Sequence, residues 1–149
     1  MRVQAAGGAN SARTTSGIGA DFPVPFGGKI QVNKVLVPAT DPGKFNLQID
    51  GATAGTGDNV GDGGTTGAIA VSAGTSTSPG ATHTVSEAAG TGADLASYTT
   101  TYSCAKDGTA PITGTGSGPV TLTVNKDDSW VCTFTNTRKD LCAGVTCTA

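Results

Sequence analysis

The stretch Ser129-Trp130-Val131-Cys132-Thr133-Phe134-Thr135-Asn136 decides the fold. Large apolar residues occupy every second position and Thr or Val the positions between, which is the period of a β-strand with one face in a core. Trp130, Cys132 and Phe134 share the inward phase, and Asn136 continues it. Working outward, Lys29-Ile30-Gln31-Val32-Asn33-Lys34 carries Lys34 on the phase of Ile30 and Val32, and His83-Thr84-Val85-Ser86-Glu87 carries Glu87 on the phase of Val85. An amine, a carboxyl and a carboxamide from three distant strands therefore aim at one core. Such a cluster is either a costly structural feature or the makings of a covalent cross-link.

The rest of the chain fits short strands joined by turns. Of 149 residues, 23 are Gly and only 13% are charged, with 36% hydrophobic and 5% aromatic. That size and composition predict one domain, built from Thr, Val and Ile strands with Gly, Ser, Asp and Asn in the turns. Seven strands are expected, over 29–37, 44–50, 67–73, 81–88, 98–104, 119–125 and 129–137. Their number and spacing predict an all-β Greek-key sandwich over residues 28–139. Residues 1–27 read as an extended N-terminal arm and candidate inter-subunit strand. Its apolar residues Phe22, Val24 and Phe26 alternate with prolines that forbid regular ladder pairing but allow an extended edge or arm. Residues 140–149 read as a short tail or the opening of a following module.

Several functions are excluded. A formal net charge of -2 with scattered Lys and Arg gives no basic stripe for nucleic acid. No 18-residue apolar run could span a membrane. Met1-Arg2 is followed by no apolar signal region, so a secreted protein would be represented here by a mature or excised segment. Four cysteines allow three pairings. Cys104 ends the strand-like Tyr98-Thr-Thr-Thr-Tyr-Ser-Cys104, and Cys132 lies inward on the last strand, so the reading pairs Cys104 with Cys132 and leaves Cys142 with Cys147. The longer loop should stabilise by roughly 3 kcal/mol, and the pattern fits an oxidising, extracellular or cell-surface location. A Cys104–Cys132 bridge would itself hold the last strand and so compete with any further staple there.

The ordered set Gln31-Val-Asn-Lys34, then His83-Thr-Val-Ser-Glu87-Ala-Ala followed by Tyr98, then Cys132-Thr-Phe-Thr-Asn136-Thr resembles the prealbumin-like (CnaB or SpaA-type) domains of bacterial surface proteins and pilins. The resemblance spans about residues 29–139. It implies a Lys on the first strand bonded to an Asn on the last, assisted by a Glu. Matched position by position, Lys34 would be the nucleophile, Asn136 the electrophile and Glu87 the proton shuttle. The physical case is independent: an apolar core disfavours the ammonium, freeing the amine to attack, a neighbouring acid can carry the proton, and fixed strands supply the effective molarity. The sequence departs from the family in having no proline between Glu87 and Tyr98 and in placing Val35 and Leu36 after the Lys. The alternative reading keeps Lys34 as a solvated edge-strand lysine, Glu87 at a strand end and Asn136 as a turn former.

Other motifs are weaker. Asp58-Asn-Val-Gly-Asp62-Gly-Gly faintly suggests a calcium loop, with Asp58 and Asp62 as ligands, but no bidentate acid follows and a Gly/Asp turn is favoured. His83 lacks a nucleophile motif and reads as a half-exposed strand residue. Gly114-Thr-Gly-Ser-Gly118 lacks the Lys of a phosphate loop and reads as a loop. Trp130 reads as core. The expected function is an extracellular structural subunit of a filament, pilus or stalk that assembles as a homopolymer through its arm or joins neighbouring modules of its own chain. It needs no cofactor or metal, and its only chemistry is one self-processing turnover. The alternative is an adhesive module that binds carbohydrate or another surface partner through loops 51–66 and 105–118.

Overall fold

The computed structural model describes residues 27–74 and 80–139. The arm residues Phe22, Val24 and Phe26 and the Cys142–Cys147 pair lie outside this range. Within it are nine strands: β1 (Gly28–Val37), β2 (Phe45–Ile49), β3 (Ala52–Thr53), β4 (Ile69–Val71), β5 (Ala81–Ala89), β6 (Tyr98–Lys106), β7 (Ile112–Thr115), β8 (Val120–Val124) and β9 (Ser129–Arg138). One short 3₁₀ turn, Leu95–Ser97, precedes β6. The strands form a sandwich of a five-stranded sheet, β4-β1-β9-β6-β7, and a four-stranded sheet, β3-β2-β5-β8.

Alternation builds the core as the sequence predicts. Ile30, Val32 and Leu36 on β1 and Trp130, Cys132 and Phe134 on β9 are buried, and they meet Phe45, Leu47 and Ile49 of β2, Val85 of β5, and Val120, Leu122 and Val124 of β8. The first and last strands lie side by side and parallel, with Ile30 opposite Trp130 and Lys34 opposite Phe134. Parallel neighbours need a long crossover, and here the whole intervening domain provides it. Cys104 and Cys132 stand directly opposite on the antiparallel pair β6–β9 and are joined by a disulfide, as expected.

The structure adds what the turn-rich segments concealed. Thr113, Gly114 and Thr115 belong to a strand, because β7 pairs with β6 from Cys104 to Thr101. Gly114 lets the Tyr102 ring lie against that strand: a Cβ there would fall 2.3 Å from the Tyr102 hydroxyl oxygen. The expected strand over 67–73 shortens to Ile69–Val71 and covers only Gly28 to Ile30 of β1. Beyond it the Gly-rich loop takes over the edge. Lys34 N donates to Gly64 O, Gly63 N to Lys34 O and Thr66 N to Val32 O. Val32 N reaches Thr66 Oγ1 at 2.9 Å, and Leu36 N reaches Asp62 Oδ1 at 2.8 Å. Asp62 is thus a backbone acceptor, and no group of three or more His, Cys, Asp or Glu among the described residues could hold a metal.

Candidate functional site: a buried amine, carboxyl and carboxamide

Lys34, Glu87 and Asn136 come together inside the sandwich, with relative exposures of 1%, 4% and 0%. The reading of Lys34 as a solvated edge lysine is overturned: its backbone edge is covered by Gly63 and Gly64, and its side chain follows the inward phase of Val32 and Leu36. Glu87 is opposite Leu47 in the second sheet, so its carboxyl crosses the interior to the pair β1–β9. Its two oxygens are divided. Oε1 accepts from Lys34 Nζ at 2.8 Å, and Oε2 accepts from Asn136 Nδ2 at 2.6 Å. Lys34 Nζ also reaches Phe134 O at 3.3 Å and stands 4.6 Å from the centre of the Phe45 ring.

Burial lowers the Lys34 pKa by penalising the ammonium, and the attraction and hydrogen bond of Glu87 oppose this without cancelling it. The amine is therefore easier to neutralise than a surface lysine. Asn136 Oδ1 is a buried acceptor with no hydrogen-bond partner among the described residues. Native interiors rarely leave such an atom unpaired. Half a turn of the carboxamide exchanges its two ends, and a protonated Glu87 would then donate to the carbonyl. Chemically, the arrangement holds an amine and a carboxamide on opposite oxygens of one shared acid.

Asn136 is two residues beyond the position directly opposite Lys34, since it pairs with Leu36. Glu87 spans that offset, with one carboxyl oxygen on each side chain. The disulfide acts elsewhere: it ties β9 to β6, whereas the trio lies between β9, β1 and β5. The disulfide and Lys34 therefore lie on opposite flanks of the last strand.

Two further polar clusters escaped the sequence reading. His83 is 8% exposed, not half-exposed. Its Nδ1 is 2.7 Å from Asp50 Oδ2, and its Nε2 is 2.8 Å from the Ser72 carbonyl oxygen and 3.1 Å from Ser72 Oγ. Both ring nitrogens are thus engaged, Nδ1 by Asp50 and Nε2 by Ser72. The ring is a strut between the sheets. The second cluster joins Asp41, Tyr98 and Arg138. Asp41 Oδ1 accepts from the Tyr98 hydroxyl at 2.6 Å, from Gly43 N at 2.8 Å and from Arg138 Nη2 at 3.2 Å. Asp41 Oδ2 accepts from Arg138 Nε at 2.7 Å.

The sandwich and its register place the chain in a recognisable class. A family profile described as a prealbumin-like fold domain matches residues 29–138, and the chain belongs to that family. Among solved structures it is similar to the major pilin from Streptococcus pyogenes, at 16% identity and a TM-score of 0.46, covering 75% of this chain and 48% of that one. A further major pilin protein of the same organism matches at 13% identity with a TM-score of 0.46, covering 74% of this chain and 45% of that one. The chain thus spans about half the length of these pilins. No curated protein matches it. Among the described residues no helix is long and apolar enough to cross a membrane.

Proposed function

We propose that this domain is a tension-bearing module of an extracellular filament, pilus or stalk, and that Lys34 and Asn136 become joined by an amide bond. The observation that carries the reading is the division of one buried carboxyl, with Lys34 Nζ on Oε1 and Asn136 Nδ2 on Oε2. In the reaction, Lys34 passes a proton to Glu87 and attacks the Asn136 Cγ as a neutral amine. The Nζ–Cγ bond forms, the Cγ–Nδ2 bond breaks, and Glu87 relays a proton from Nζ to Nδ2, which leaves as ammonia. Strands that fix the partners supply the effective molarity that makes amide exchange accessible. One turnover suffices.

The topology supports a load-bearing role. Since β1 and β9 are adjacent and parallel, the chain enters and leaves the domain at opposite ends of one strand pair, and tension on the termini shears that pair. A Lys34–Asn136 bond would carry the load. The reading extends to assembly: residues 1–27 would dock on a neighbouring copy through Phe22, Val24 and Phe26, giving a homopolymer by edge pairing.

Intact mass of the reduced protein tests the chemistry. The expected result is a mass lower than the sequence mass by one ammonia, restored to the sequence mass in Lys34→Ala, Glu87→Ala and Asn136→Ala. A wild-type protein at full sequence mass would remove the bond from the account.

A further inference from the structure

Asn136 is two residues from the end of the last strand, where strands fray most readily, yet the reaction proposed above needs its carboxamide held still against Glu87. The structure fixes that end by a cluster outside the reactive trio. Arg138, on the same face of β9 as Asn136, presents Nε and Nη2 to Asp41 at 2.7 and 3.2 Å. Asp41 lies in the segment between β1 and β2, and its side chain is only 4% exposed. Tyr98 at the start of β6 completes the cluster: its hydroxyl donates to Asp41, and the Arg138 guanidinium carbon lies 4.4 Å from the centre of its ring. The next residue is held too, with Lys139 N donating to Ser97 O at 3.0 Å.

The cluster touches the trio from two sides. Along β9, Arg138 fixes the strand that carries Asn136. Across the core, the Tyr98 ring meets Phe45 edge-on at 5.2 Å and 81°, and Phe45 is the ring that faces the Lys34 amine. Leu36, Phe45 and Tyr98, with Ala93 and Leu95 against them, form a separate apolar cluster at this end of the sandwich. It excludes water from the amine, and water would restore the ammonium. Gly43 belongs to the design: a Cβ there would fall 2.3 Å from the Tyr98 hydroxyl oxygen, displacing it from Asp41.

We propose that Asp41, Arg138 and Tyr98 form a latch that positions Asn136 and closes the site, so that the Lys34–Asn136 bond forms only after the last strand has docked to its end. This inference rests on the reading under Proposed function. The three are positioning residues: they exchange no atoms with the reacting groups, and the rate scales with the fraction of molecules in which the latch is closed. The device would stop a half-docked last strand from being sealed in the wrong register.

The test follows ammonia loss by intact mass of reduced samples at successive times after cell-free synthesis, under conditions where circular dichroism reports the folded state for every variant compared. Wild type is set against Asp41→Asn, Arg138→Gln, Arg138→Lys and Tyr98→Phe, with Lys106→Met as a control that breaks a different ion pair, Lys106–Asp128. Asp41→Asn and Arg138→Gln should slow ammonia loss about tenfold or more, the effect of losing a charge-assisted hydrogen bond. Tyr98→Phe, which keeps the ring, should slow it several-fold. Arg138→Lys should restore part of the rate, and Lys106→Met should match wild type. Folded Asp41→Asn and Tyr98→Phe proteins reacting at the wild-type rate would overturn the latch while leaving the bond in place. Slowing equal to theirs in Lys106→Met would also overturn it, by reducing the effect to general stability. No ammonia loss in wild type would overturn the underlying reading and the latch with it.

Discussion

Lys34 and Glu87 form a fully buried ion pair, and such a pair contributes little net stability while being costly to break singly. In molecules that have not formed the bond, Glu87→Ala should therefore lose about 3–5 kcal/mol in urea unfolding, because it strands the Lys34 amine without its partner. Lys34→Met combined with Glu87→Leu should recover most of that loss. Asp41 gives a pH signature. Burial alone would raise its pKa, but hydrogen bonds from Arg138, Tyr98 and Gly43 N and the Arg138 charge outweigh it and hold the carboxyl below its ordinary value. A depressed folded pKa means stability present above the unfolded value, about 3.9, and lost as pH falls from there towards the folded one. Asp50 and Asp128 are lowered in the same sense, so wild type should weaken below about pH 4. Asp41→Asn should be less stable at neutral pH and show a shallower acid loss. The Tyr98 hydroxyl, pushed up to about 12 by burial and by Asp41, stays a donor throughout. The inward phase of Lys34, Glu87 and Asn136 was readable because period-two alternation reports direction residue by residue. Asp41 was not, since it sits in a Pro/Gly turn where an Asp reads as a turn former. Arg138, two positions past Asn136 on the same phase, was the available clue.

At the scale of elements, the long alternating strands were legible and the edges were not. β1, β5 and β9 carry their burial pattern in the sequence, whereas the seal over β1 is made by Gly63, Gly64, Thr66 and Asp62, residues with no period to read. Its function follows from the unpaired groups an exposed edge would present. Thr66 is 3% exposed and its hydroxyl oxygen serves the Val32 amide, so Thr66→Val should cost about 1–3 kcal/mol for the orphaned donor, measured by thermal or urea unfolding. β7 was hidden by Gly114, whose place in a strand depends on the Tyr102 ring that fills the space above it. The disulfide was legible because Cys104 ends one predicted strand and Cys132 lies inward on another, which leaves Cys142 and Cys147 to close a short loop. With a sequence separation of 28, the double variant Cys104→Ser and Cys132→Ser should lose roughly 3–4 kcal/mol. It should still lose ammonia, because β6 is not part of the trio.

At the scale of the molecule, the decisive arrangement is a parallel pair made from the first and last strands, with a disulfide on one flank of the last strand and the amine, acid and amide on the other. Fold class was legible from strand phase and spacing, although the expected count of seven missed β3 and β7. The adjacency of the ends was legible only through the convergence of Lys34 and Asn136, because pairing partners leave no mark in alternation alone. If the arm serves assembly, deleting residues 1–27 should abolish polymerisation in light scattering while leaving the domain's mass deficit unchanged. The most direct measurement is tandem mass spectrometry of a reduced proteolytic digest. The account predicts a branched peptide that joins the segment containing Lys34 to the segment containing Asn136 through the Nζ–Cγ amide, at the sum of their masses less one ammonia. Recovery of the two segments only as separate, full-mass peptides would contradict it.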